Sequence, residues 1–264
     1  MCWKTICIAC LLPLAAIAQT HDWKLVWQEE FNYHGIPDPD VWGYDYGQSI
    51  RNQESQFYTR ARIENALVDN GTLKIIARKE PFDGKKDNYT SANLTTRGTR
   101  EFQYGRIEVA AKLPAGRGIW PAIWMMPAED NYGGWPRCGE IDIMEFVGFD
   151  HNRIHINIHN GKYNNLKGGS LGASFITRHI HDKFHVYALE WTPRRLDFFI
   201  DDVNVFTYQK EEDSIDAWPF DNPFYLMLNV AVGGGWGGQK GIDDSHFPQA
   251  MEVDYVRVYQ KDQY

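Results

Sequence analysis

Arg106-Ile107-Glu108-Val109-Ala110-Ala111-Lys112-Leu113 decides the fold class. Ile107, Val109, Ala111 and Leu113 fall on one face of an extended chain, and Arg106, Glu108 and Lys112 fall on the other. That is a strand with one side in a core and one in water. Leu73-Lys74-Ile75-Ile76-Ala77, Arg195 to Ile200, Phe224 to Val230 and Val253 to Tyr259 read in the same way, and Asp201-Asp202 stands between two such runs as a hairpin turn. Asp69-Asn70-Gly71, Pro81 to Gly84, Gly133-Gly134 and Gly233 to Gly238 supply further turns. No long helical periodicity, internal repeat or linker interrupts the series. The expectation is an all-β, antiparallel sandwich or jelly roll built as one domain, within the reach of 264 residues.

The first residues follow a different rule. Lys4, the apolar stretch Ile6 to Leu14 and Ala16-Ile17-Ala18 before Gln19 have the layout of an export signal, so residues 1–18 are expected to be a signal peptide and 19–264 the working domain. The destination is then secreted or periplasmic. A lipoprotein anchor at Cys10 fits less well, because the residues before it depart from that pattern. No later segment is apolar for long enough to span a bilayer. Cys2, Cys7 and Cys10 lie in the signal, which leaves Cys138 alone, with no internal disulfide and no His/Asn pattern to make it a nucleophile; it reads as a small strand residue.

A net charge of −8 disfavours nucleic acid, anionic membranes and heavily sulfated polysaccharide. A neutral substrate suits the chain better. Many of its 10 Trp, 14 Tyr and 14 Phe must serve the core, but so many Trp also suit a groove that stacks flat sugar faces. No sequence feature calls for an oligomer, and a monomer is expected.

Gly139-Glu140-Ile141-Asp142-Ile143-Met144-Glu145-Phe146 carries the chemistry. On a regular strand Glu140 and Asp142 share a face while Glu145 points away. One extra residue near Ile143 or Met144 resets the parity and brings Glu145 round. Acids gathered on one face repel one another and call for a use. Retaining glycoside hydrolysis supplies one, with a nucleophile and an acid/base about 5–5.5 Å apart. Glu140 is then the nucleophile, Asp142 the neighbour that keeps the ionisation states distinct, and Glu145 the group protonated at rest. A cation site made of these acids fits poorly, since hard cations want ligands wrapped around them and these lie on one strand.

In Arg153-Ile154-His155-Ile156-Asn157-Ile158-His159 alternation sends the Ile residues to one face and His155, Asn157 and His159 to the other. Same-face neighbours about 6.6 Å apart are too spread for a tetrahedral zinc site, so hydrogen bonding to substrate is the expected role.

Gly118-Ile119-Trp120-Pro121-Ala122-Ile123-Trp124-Met125-Met126, then Trp135-Pro136 and the acid-bearing strand, resemble glycoside hydrolase family 16, in its bulged, laminarinase-like branch. The resemblance runs from Trp27-Gln28-Glu29-Glu30-Phe31 through Tyr104-Gly105-Arg106, Glu190-Trp191-Thr192-Pro193 and Asn229-Val230-Ala231-Val232-Gly233-Gly234 to Val253-Asp254-Tyr255-Val256-Arg257-Val258-Tyr259. It implies a concanavalin A-like antiparallel β-jelly-roll sandwich with an open concave cleft, and the same roles for Glu140, Asp142 and Glu145. It also implies substrate binding by Trp120, Trp124, His159, Asn52 and Trp236, no cofactor for catalysis, and a structural Ca²⁺ held by Glu30, the backbone of Gly71 and Asp254. The implied activity is endo-hydrolysis of internal β-linkages in a neutral polysaccharide, β-1,3- or mixed β-1,3/1,4-glucan. Asn93 stands where laminarin-type members usually have Arg, Gly235 where they have Asn, and Gln53 beside Asn52 where Asn is common. These departures surround the sugar-reading positions and leave the glycan open. An endo-β-1,4-galactosidase acting on poly-N-acetyllactosamine or mucin-type glycans is the alternative enzyme, and a non-catalytic β-glucan-binding module is the alternative of another class.

Overall fold

The computed structural model describes residues 23–262. The expected signal peptide and Cys2, Cys7 and Cys10 lie outside the described residues.

Two sheets face each other. The cleft-bearing sheet runs, in spatial order, Leu171–Ile176, Arg153–His159, Glu140–Phe146, Ile119–Pro127, Phe224–Val232, Asn93–Thr95 and Gly43–Asp45, with Glu101–Phe102 beside Phe224–Val232. The back sheet runs Val203–Gln209, Arg195–Ile200, His185–Thr192, Gly105–Lys112, Gln249–Gln260, Thr72–Phe82, Lys85–Ser91, Gln56–Tyr58 and Gly47–Gln48. Lys24–Glu29 and Ala66–Asp69 join it on Gln249–Gln260 and Thr72–Phe82. The pairing is antiparallel except where Gln56–Tyr58 runs parallel to Lys85–Ser91, a departure from the all-antiparallel expectation. Among the described residues helix is confined to the short turns Asn165–Lys167 and Asp244–His246.

The opening stretch behaves as its alternation requires. Ile107, Val109, Ala111 and Leu113 enter the core between the sheets, while Arg106 bonds Glu108 and Glu190 at 2.6 and 2.9 Å and Lys112 pairs with Glu252 at 3.1 Å. Ile154, Ile156 and Ile158 enter the same core from the opposite sheet. Each fully buried aliphatic side chain contributes about 1.5–3 kcal/mol, so the inward set on every strand fixes which face of the sheet looks out. Asp201 and Asp202 both adopt left-handed conformations, at φ 50° and 63°, and close a two-residue hairpin.

Cys138 corrects one expectation: it is buried in the turn before Glu140–Phe146 and not on a strand. Burial pushes its thiol up to about 11, which keeps it protonated and unreactive.

Beyond the acid-bearing strand the chain passes close under another loop. A Cβ on Gly148 would stand 1.7 Å from the Gly116 carbonyl oxygen. Gly148→Ala should therefore destabilise the fold by about 3 kcal/mol, roughly 6–12 °C in Tm, whereas Gly134→Ala, which meets nothing within 4 Å, should leave Tm unchanged. Equal melting of the two variants would mean that the Gly116 crossing yields without cost.

Candidate active site

The cleft forms where the Glu140–Phe146 strand breaks its own alternation. Against Ile119–Pro127 its register runs Trp124↔Asp142 and then Ile123↔Met144, which leaves Ile143 as an extra residue. Against Arg153–His159 the same step appears between Asp142↔Asn157 and Glu145↔His155. Ile143 and Met144 both turn inward, joining Ile141 and Phe146 in the core. Glu145 thereby joins Glu140 and Asp142 on the cleft face.

The cleft has a volume of about 1060 Å³. Trp120, Trp124, His159, Asn52 and Trp236 all line it alongside the acids. One polar atom each from Glu140, Asp142 and His159 lies within 4.8 Å of the others. His159 Nε2 is 3.6 Å from Glu140 Oε1 and 3.4 Å from Asp142 Oδ2. Both oxygens of Glu145 accept hydrogen bonds, Oε1 from Trp120 Nε1 at 3.1 Å and Oε2 from Asn157 Nδ2 at 2.8 Å. Trp236 stands edge-on to Trp120 at 5.2 Å and to His155 at 4.8 Å between ring centroids. Trp124 donates to Asn229 Oδ1 at 2.7 Å, and Asn229 donates to the Tyr58 hydroxyl at 3.0 Å. The two strand tryptophans belong to small apolar clusters on the cleft side, separate from the main core. Asn52 donates to Glu54 at 3.3 Å, and its carbonyl accepts from the Gly235 N–H at 2.7 Å, which ties its loop to the turn carrying Trp236.

Several cleft residues carried too little signal to be singled out. Trp135, 42% exposed, stands 5.7 Å from the His159 ring between centroids. Arg51 lies over Trp124 at 5.4 Å and is held by Asp45 at 2.8 Å, and Asp45 also accepts from Asn93 at 3.3 Å. Asn93 itself is buried and does not line the cleft. Glu54 and Ser170 complete the wall. Loop positions such as these have no periodicity to betray them; Trp135 alone stood within a motif.

Glu30, Gly71 and Asp254 lie elsewhere on the back sheet: Glu30 just after Lys24–Glu29, Gly71 in the turn between Ala66–Asp69 and Thr72–Phe82, and Asp254 within Gln249–Gln260. Both oxygens of Glu30 accept from Arg257, at 2.7 and 2.9 Å. Asp254 is exposed, and Gly71 occupies a left-handed turn at φ 74°. The oxygen donors suit calcium in kind, but Glu30 is already satisfied.

Burial raises the proton affinity of all three cleft acids. Glu140 is pushed well above the carboxylate range by desolvation and then by the Asp142 charge. Asp142 is pushed well up by desolvation and the Glu145 charge, while its hydrogen bond with Glu140 works the other way. Glu145 is raised by desolvation, against which the Asn157 and Trp120 N–H groups act. The cluster therefore holds fewer charges than carboxyl groups, as a site that must both give and take a proton requires.

Such raised values have a thermodynamic signature. The folded state binds more protons than the unfolded one above the ordinary glutamate value of 4.5, so stability falls as pH rises through the interval between the two. Glu140→Gln should melt higher than the parent at pH 7 and at the same temperature near pH 3.5, where the carboxyl is neutral in both states. A parent that is the more stable at pH 7 would show that this carboxyl is not penalised by burial.

A family model for the glycosyl hydrolases family 16 matches residues 53–257. A β-glucanase from Rhodothermus marinus is 51% identical over 245 residues, 90% of this chain and 85% of that protein. A keratan-sulfate endo-1,4-β-galactosidase from Sphingobacterium multivorum is 38% identical over 252 residues, 94% of this chain and 58% of that protein. Among solved structures, the laminarinase from Rhodothermus marinus superposes with a TM-score of 0.87 at 50% identity, covering 90% of this chain and 97% of that one. Agreement at this level, across nearly the whole described chain and in the same sandwich, goes far beyond a shared architecture: the chain belongs to the glycosyl hydrolases family 16.

Proposed function

We propose that this glycoside hydrolase is an endo-β-glucanase that cleaves internal β-1,3- or mixed β-1,3/1,4-linkages with retention, using Glu140 as nucleophile and Glu145 as acid/base. The observation that carries the reading is the bulge at Ile143, which presents Glu140, Asp142 and Glu145 together to an open, tryptophan-lined cleft. Identity of 51% to a β-glucanase supports the substrate class.

In the first step Glu140 attacks the anomeric carbon while Glu145 gives its proton to the departing glycosidic oxygen. The carbon–oxygen bond breaks and a glycosyl ester forms on Glu140. In the second step Glu145 takes a proton from water, whose oxygen displaces Glu140 and restores the starting configuration. Asp142 and Glu140 share a proton between them, and when it moves to Asp142 the Glu140 carboxylate is free to attack. His159 faces both groups and the substrate. Trp120, Trp124, Trp236 and Asn52 hold the sugars on either side of the reacting centre.

In this reading residues 1–18 direct export and residues 19–264 act as one secreted or periplasmic domain, a monomer that needs no cofactor for catalysis. Among the described residues no helix is long and apolar enough to cross a membrane.

Glu140→Gln and Glu145→Gln should each lower turnover of a β-glucan by about 10³-fold or more while glycan binding persists. Wild-type hydrolysis by either variant overturns the assignment. The parent enzyme, given laminarin, barley glucan, lichenan, keratan and mucin glycans, should release mixed oligosaccharides from the glucans. Release from keratan alone would replace the substrate with that named for the 38% identical galactosidase.

A structural calcium at Glu30, the Gly71 carbonyl and Asp254 belongs to the same proposal and requires Glu30 to turn from Arg257. Added CaCl₂ should raise Tm by several degrees and EGTA should reverse the rise, as mass action on a native-state site demands. An unchanged Tm removes calcium from the account.

A further inference from the structure

We infer that Asn157, anchored by Ser170, is a positioning residue that orients Glu145 and sets its proton affinity between the needs of the two half-reactions. The inference rests on the acid/base reading of Glu145 and adds to it a cause on the neighbouring strand.

Three observations converge on the Asn157 amide. Its Nδ2 is 2.8 Å from Glu145 Oε2, the shorter of the two hydrogen bonds that this carboxyl accepts. Its Oδ1 accepts from the Ser170 hydroxyl at 3.0 Å. A carboxylate wants a donor and a hydroxyl hydrogen wants an acceptor, so the two partners together specify which way the amide faces. The third observation is a space left for it. Gly172 pairs with Asn157 in register, and a Cβ there would lie 2.0 Å from the Ile156 carbonyl oxygen and 2.4 Å from Asn157 Oδ1. The strand beyond thus leaves out a side chain where that backbone oxygen and the amide oxygen both lie.

An N–H aimed at a carboxylate favours its anion. Burial favours the acid. Glu145 must be protonated when the leaving oxygen departs and ionised when water attacks, so neither influence alone serves both steps. The other groups facing Glu145 push in both directions. Glu140 and Asp142 on its own strand and Glu54 from the opposite wall favour the protonated form, whereas His159 favours the charged form. His155, its register partner, is held against Asp150 and Trp236. Against this background the Asn157 amide is an uncharged donor fixed by a side chain outside the acid cluster. Ser170 lies on the same cleft wall as Asn165 and Leu166, so the anchor is itself part of the surface a sugar meets.

The test is the pH profile of kcat/KM on a nitrophenyl oligoglucoside, whose leaving group needs little help from an acid, and on a β-glucan, whose leaving group needs much. Asn157→Ala should move the alkaline limb on β-glucan up by about one pH unit and lower kcat about tenfold with KM within about twofold. Asn157→Asp keeps the shape and replaces the donor with a second acid, so it should move the limb further in the same direction. Ser170→Ala should give a smaller shift of the same sign, and none when added to Asn157→Ala. Wild-type limbs in Asn157→Ala and Asn157→Asp, with Glu145→Ala losing its limb, overturn this inference alone. A wild-type limb in Glu145→Ala overturns the acid/base reading beneath it.

Discussion

An extended chain can show a given side of itself only at every second residue, and this protein's cleft needs acids at both even and odd positions of one strand. The added residue at Ile143 resolves that conflict, and the hydrophobic core holds it in place. Ile141, Ile143, Met144 and Phe146 are all buried against the opposite sheet. Straightening the strand would exchange at least one of these apolar side chains for an ionisable one. Expelling a carboxylate's water without a partner costs several kcal/mol, and an exposed Met or Ile forfeits a further ~1.5–3 kcal/mol. The bend is thus held by apolar packing on one face while its use lies on the other.

The cleft wall is built so that its aromatic rings have polar reasons to stay where they are. Trp120 is tied to Glu145 and Trp124 to Asn229, and Trp236 is wedged edge-on between Trp120 and His155. Each ring leaves part of its surface toward the groove because its N–H or its edge is already engaged. Rigid platforms of this kind lower the entropic penalty of ordering a polymer along the groove. Arg51 follows the same logic, since its ion pair with Asp45 holds it over the Trp124 ring.

Strand positions were legible because period-two alternation is a direct imprint of a two-sided sheet. Arg106 to Leu113 and Arg153 to His159 could be assigned face by face, and even the parity fault in the acid strand was visible as a mismatch between Asp142 and Glu145. The placing of Trp120, Trp124 and Trp236 in the cleft drew on motif resemblance, because a tryptophan on a strand looks alike whether it faces a core or a sugar. Cys138 was misplaced because its nearness to the Glu140–Phe146 strand outweighed the turn-forming Gly133-Gly134, Pro136 and Gly139 around it. Arg51, Glu54 and Ser170 were out of reach for another reason. They reach the groove from loops, and a loop's course depends on partners far away in sequence, such as the Gly235 N–H that meets the Asn52 carbonyl. The engagement of Glu30 by Arg257 likewise joins positions at opposite ends of the described chain.

The back sheet also imposes an order on biosynthesis. Gln249–Gln260, late in the sequence, lies between Gly105–Lys112 and Thr72–Phe82 and pairs with Lys24–Glu29 as well. Until it emerges, those strands lack their central neighbour and present bare edges that invite pairing with other chains. Contacts so distant in sequence close slowly. A polypeptide halted a few dozen residues short would hold its acid-bearing strand and most of its apolar wall, yet lack the seam that joins the two halves of the rear layer.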